Sequence, residues 1–92
     1  MMKHIPYEYM TEKKWNSLGQ TMTLKQALDL WWNSVRVRTE NGTKTCYKCS
    51  DNTYDILDDE EILTLKTRIT LDENYTEDTD GYPIIFADLV RA

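Results

Sequence analysis

Two stretches of period-two alternation meet at an Asn-Gly pair near the middle of this chain, and no other feature constrains its fold as tightly. Val35-Arg36-Val37-Arg38-Thr39-Glu40 alternates apolar and polar side chains, and Thr43 to Cys49 returns after Asn41-Gly42. Asn-Gly between such stretches favours a type I′ turn, because both residues tolerate positive φ. With Asn41 and Gly42 as the turn residues, Val37 faces Cys46 and Arg36 faces Tyr47. One face then holds Val35, Val37, Cys46 and Lys48, and the other Arg36, Arg38, Thr45, Tyr47 and Cys49.

The remaining elements are read by the same periodicities. Thr53 to Leu57 suits a short third strand. From Ile62 to Leu71 the alternation is strict, with Leu63, Leu65, Ile69 and Leu71 on one face and Thr64, Lys66, Arg68 and Thr70 on the other. A long, half-buried antiparallel strand follows. Ile84 to Val90 is apolar and β-favouring, and reads as a strand pairing with it, with a short helix from Phe86 as the alternative. Towards the amino terminus, Thr11 to Leu18 suits a short helix with Thr11 as N-cap, Gly19 past its end and Trp15 as buried anchor. Thr23 and Gln26 can form a capping box ahead of a helix from Leu24 to about Asn33. Its stripe of Leu24, Ala27, Leu28 and Trp31, widened by Leu30 and Trp32, needs a sheet to pack on. The expected architecture is α+β: one or two N-terminal helices on a four- to five-stranded, mainly antiparallel sheet.

A chain of 92 residues suits a single domain over 1–92, with residues 1–10 expected to be mobile. Surface scaling implies that about 65% of the extended-chain surface is buried, enough for one core. No apolar run approaches the length of a membrane span. Met1 to Glu8 lacks the apolar region of a secretion signal. Two cysteines do not make a disulfide framework at this length. A cytoplasmic, reducing setting away from membranes is the expectation.

Each motif that suggests chemistry lacks a required group. Cys46-Tyr47-Lys48-Cys49 has zinc-knuckle spacing, but a tetrahedral site needs four ligands and the chain adds only His4. In a regular strand the odd separation also puts the two cysteines on opposite faces. Asp78-Thr79-Asp80-Gly81 resembles part of a calcium loop. With Gly81 in the sixth position, the twelfth is Ala87, so the bidentate acid is missing. Asp58-Asp59-Glu60-Glu61 is more simply a solvated turn than a general acid–base pair, which needs a cleft. The expectation is therefore no enzyme, no metal and no cofactor.

Charge is what remains. The net value of −5 divides unevenly: residues 1–50 hold eight basic and four acidic side chains, residues 51–92 three and twelve. Acidic turns carrying Asp58, Asp59, Glu60, Glu61, Glu73, Glu77, Asp78 and Asp80 would attract a protein with a basic surface. Trp32, the outer member of the Trp31-Trp32 pair, and Tyr75 are the expected anchors. The leading expectation is a non-enzymatic protein-binding module. Size, acidity and absence of chemistry are shared with anti-CRISPR and anti-restriction inhibitors of phages and mobile elements, which block nucleic-acid-binding proteins; that is an analogy of type, with no motif behind it. One alternative is a single-strand nucleic-acid binder using Arg36, Arg38 and Tyr47. Another is a homo-oligomer, such as a homodimer closed through Trp32 and an edge strand.

Overall fold

Ile84-Ile85-Phe86-Ala87 is apolar on both sides of the pleat, and a strand of that kind is most stable with neighbours on both edges. The computed structural model, which describes residues 11–30 and 34–91, places it there. Its elements are α1 (Glu12–Ser17), β1 (Thr21–Thr23), α2 (Leu24–Leu28), β2 (Ser34–Thr39), β3 (Gly42–Ser50), β4 (Thr53–Leu57), β5 (Arg68–Leu71), β6 (Thr76–Glu77) and β7 (Pro83–Leu89). The strands form one sheet in the order β1-β5-β7-β2-β3-β4, with β6 also on β7. β7 runs parallel to β2, Val35 opposite Ile85, and antiparallel to β5, Ile69 opposite Leu89.

The expected α+β architecture is thereby corrected. The described residues are 46% strand and 14% helix, in a curled, mixed sheet of six to seven strands with two short helices. Periodicity reveals strands but not their neighbours, so it missed the parallel β2–β7 pair. β1 and β6 are three and two residues long, too short to show a period.

The hairpin forms with a different turn. Thr39 pairs with Gly42, so Glu40 and Asn41 turn the chain and the return strand shifts by two residues. Neither has positive φ, which a I′ turn requires of both central residues. The left-handed residue is Gly42, at φ 109°. The Thr39 hydroxyl accepts from the Asn41 N–H at 3.1 Å and donates to the Gly42 carbonyl at 2.7 Å. A shift of two preserves each residue's face, whereas a shift of one would have inverted them all. Val35, Val37 and Cys46 are accordingly buried together.

Both helices start where expected, and α2 stops early. Thr11 accepts from the Lys14 N–H, and Thr23 and Gln26 complete the capping box. α2 ends at Leu28 rather than near Asn33, because the Asp29 side chain is held by β3 and β4 and the Leu30 N–H bonds back to Ala27. Trp31, Trp32 and Asn33 lie outside the described residues. Leu24, Ala27 and Leu28 cover Val35, Val37, Cys46, Ile69, Leu71, Ile85 and Ala87 to form the core.

The long strand over Ile62–Leu71 is also shortened, to Arg68–Leu71. The Thr67 hydroxyl takes the Thr64 N–H at 2.8 Å, one of the local bonds that compete with a ladder. The Thr67 and Leu65 carbonyls instead accept from Leu24 and Lys25, satisfying the first N–H groups of α2. Apolar alternation survives without the strand: Leu63 is buried and Leu65 half-buried. Among the described residues, no helix is long and apolar enough to cross a membrane.

Candidate partner-binding surfaces

The acidic residues divide between the two ends of the sheet. β4 is two antiparallel steps from β2 and therefore runs with β2 and β7. Residues 58–61 leave β4 at the end where β7 finishes. The turn at 78–82 feeds the start of β7 at the other end. Asp58 to Glu61 and the group of Glu73, Glu77, Asp78 and Asp80 are thus separate surfaces.

The first surface is partly neutralised from within. Lys44 sits on the core face of β3, 8% exposed, and a buried ammonium must find carboxylates. Its Nζ lies 2.7 Å from Glu60 Oε1 and 3.7 Å from both Asp58 Oδ1 and Asp59 Oδ1. The Asp58 carboxylate is 1% exposed and accepts from the N–H groups of Glu60 and Leu63. Burial disfavours its charge, but these N–H groups and Lys44 prevail and hold its pKa below the ordinary value. Ligand atoms of Asp58, Asp59 and Glu60 lie within 4.8 Å of one another. The lysine ammonium supplies the positive charge that a metal ion would bring to such a group. Asp59, 95% exposed, and Glu61, exposed at φ 56°, are the acids left to a partner.

The second surface combines charge with aromatic area. Trp15, expected as a buried anchor, is 50% exposed, since the buried side of α1 carries Lys14 and Ser17 instead. Its ring meets Tyr75 edge-on, with centroids 6.0 Å apart. Tyr75 is half-buried against the core; burial and then the charge of Glu77 push its phenol pKa up. Glu73 packs on the end of α1, where a Cβ on Gly19 would come within 3.0 Å of it. Asp78 is occupied by its own turn, accepting from the N–H groups of Asp80 and Tyr82, while Glu77 and Asp80 stay exposed. Of the expected anchors, Tyr75 belongs to this patch and Trp32 falls outside the described residues.

The basic hairpin face is less basic than its composition. Arg38 donates to both oxygens of Asp88 at 3.2 and 3.1 Å and to Asp72 at 3.0 Å, and lies over the Phe86 ring at 5.0 Å. Two carboxylates thus surround one guanidinium. Tyr47 shares the face but pairs with Asp55, and Arg36 pairs with Thr45. The sequence placed these three side chains together; it gave no sign that β5 and β7 would bring acids to them.

A third ionic group was missed altogether. Asp29 accepts from Tyr54 at 2.5 Å, Lys25 at 2.9 Å and Lys48 at 3.0 Å. The Tyr54 and Lys25 hydrogen bonds, chiefly, hold its carboxyl well below the usual range. This group ties α2 to β3 and β4. The only advance signal was Lys48 on the core face of the hairpin. A hollow of about 740 Å³ between α1, β1 and α2 has a mixed lining, including Glu12, Asn16, Met22 and Gln26, with no convergent chemistry. Cys46 is buried, its thiol pushed up to about 12 by burial and by Asp58 and Asp55, while Cys49 is exposed at a bulge in β3. Family models, curated proteins and solved structures all give no match to this chain.

Proposed function

We propose that this chain is a protein-binding module that seats a basic partner on the patch formed by Trp15, Tyr75, Glu73 and Glu77. The observation that carries this reading is the half-exposed Trp15 ring held against Tyr75 beside carboxylates. A rigid aromatic pair offers contact area at little entropic cost, and adjacent charge speeds and orients association. The concrete form is an inhibitor that occupies the phosphate-binding surface of a nucleic-acid-binding protein, in a cytoplasmic setting where both cysteines stay free. Direct nucleic-acid binding is less favoured, because Arg38 is already shared by Asp72 and Asp88.

The test is affinity capture from a host lysate on the immobilised protein, with Trp15→Ala and the double variant Glu73→Lys, Glu77→Lys as comparisons. A partner with a basic surface is expected, retained at low salt and released at about 0.5 M salt, where the Debye length falls to a few ångströms. Both variants should reduce recovery at least about tenfold, the loss of one hot-spot contact. Capture of nothing, or equal capture by the variants, overturns the reading.

A further inference from the structure

β4 closes one side of the sheet, and no described strand pairs with its outer edge. The phase of its ladder follows from the two turns beside it. Thr39–Gly42 and Ser50–Thr53 each close a two-residue turn, so both are hydrogen-bonded pairs. Alternating from either one, Asp55 and Leu57 bond to β3, and the backbone groups of Tyr54 and Ile56 point outward. The Ile56 carbonyl is taken by the Asp58 N–H at 2.9 Å. Two N–H groups and the Tyr54 carbonyl remain to pair with an incoming strand.

Charge decides what kind of strand fits. Asp55 is exposed within β4, and Asp51 and Asp59, also exposed, flank its two ends. Asp55 and Leu57 project from the sheet face away from the core, with Leu57 52% exposed. Beyond the end of β4, a shallow hollow of about 610 Å³ is lined by Thr43, Lys44, Ile56, Leu57, Asp58 and Asp59. A second copy of the chain is opposed, because antiparallel pairing centred on β4 would set Asp55 against its own counterpart. We propose that the β4 edge accepts an extended, basic segment of a partner protein as an added strand, with lysine or arginine side chains meeting Asp55 and Asp59 and an apolar side chain meeting Leu57. This surface is distinct from the aromatic patch and stands or falls without it.

The probe is a short capped peptide in which lysine alternates with valine, titrated into the ¹⁵N-labelled protein at low salt. The expected result is saturable perturbation of the Tyr54 and Ile56 amides, with slowed hydrogen exchange at both. Ile56→Pro removes the outward N–H, which an edge strand tolerates, together with a half-buried side chain packed on the core. It should weaken the peptide about tenfold, as should Asp55→Lys. Trp15→Ala should leave peptide binding unchanged, which separates this proposal from the preceding one. No perturbation at millimolar peptide, perturbation confined to other amides, or undiminished binding to folded Ile56→Pro overturns it. Should Ile56→Pro fail to fold, exchange at the Tyr54 and Ile56 amides of the unaltered protein decides.

Discussion

Asp58 is the plainest case of a residue whose role depends on what folds around it. In the sequence it is the first of four consecutive acids; in the structure it is the buried one, accepting from the N–H groups of Leu63 and Glu60 beside Lys44. Because folding lowers its pKa, the unfolded chain binds the proton more readily, and stability is lost as pH falls. Asp72, held by the Asn74 N–H and Arg38, and Asp29 act in the same direction. The urea midpoint should stay level from neutral pH to about 5 and decline below about 4, the carboxylate value in an unfolded chain. Asp58→Asn should lower the midpoint at neutral pH and flatten the acid decline. An unchanged slope would remove Asp58 from this account. Lys44 was legible in part: the hairpin alternation set it on the core face, but not which acids would receive it. Trp15 was misread, since a short helix buries one narrow side and nothing local says which.

Among the elements, caps were read more reliably than lengths. A capping box needs only Thr23 and Gln26, three residues apart, and it forms as expected. Where a helix ends depends on competing partners, and for α2 these are Tyr54 and Lys48 on other strands. With only five residues, α2 gains little from its own hydrogen bonds, so its cap and its packing must hold it. Thr23→Ala should cost about 1 kcal/mol in chemical denaturation. Gln26→Ala should cost less: each side chain serves one N–H, but alanine favours the helix at Gln26, whereas it is a poor N-cap at Thr23. Equal and negligible losses would show that packing of Leu24 and Leu28 alone holds the helix. The Ile62–Leu71 stretch shows the converse: its alternation is real as burial, yet its first half gives its carbonyls to α2 rather than to a neighbouring strand.

At the scale of the whole molecule, stability rests on β7 and the single core face it shares with β2, β3 and β5. Ile85 is fully buried at the centre of the sheet, whereas Leu57 is exposed at its edge. Ile85→Ala should cost about 3 kcal/mol, a large part of the stability of a small domain. Leu57→Ala should stay within about 0.5 kcal/mol. Comparable losses for the two would mean that Leu57 is covered. By itself, the sequence determined the two strands of the hairpin and their faces, both helix starts and the unequal charge of the two halves. These depend on local periodicity and on side chains reaching a few residues along the chain. Tertiary structure alone decided that β7 lies parallel to β2, that the acids separate to opposite ends, that Lys44 and Arg38 are claimed from within, and that the outer edge of β4 is left without a described strand. Those outcomes depend on which distant segments become neighbours, and a period of two is the same whatever lies alongside.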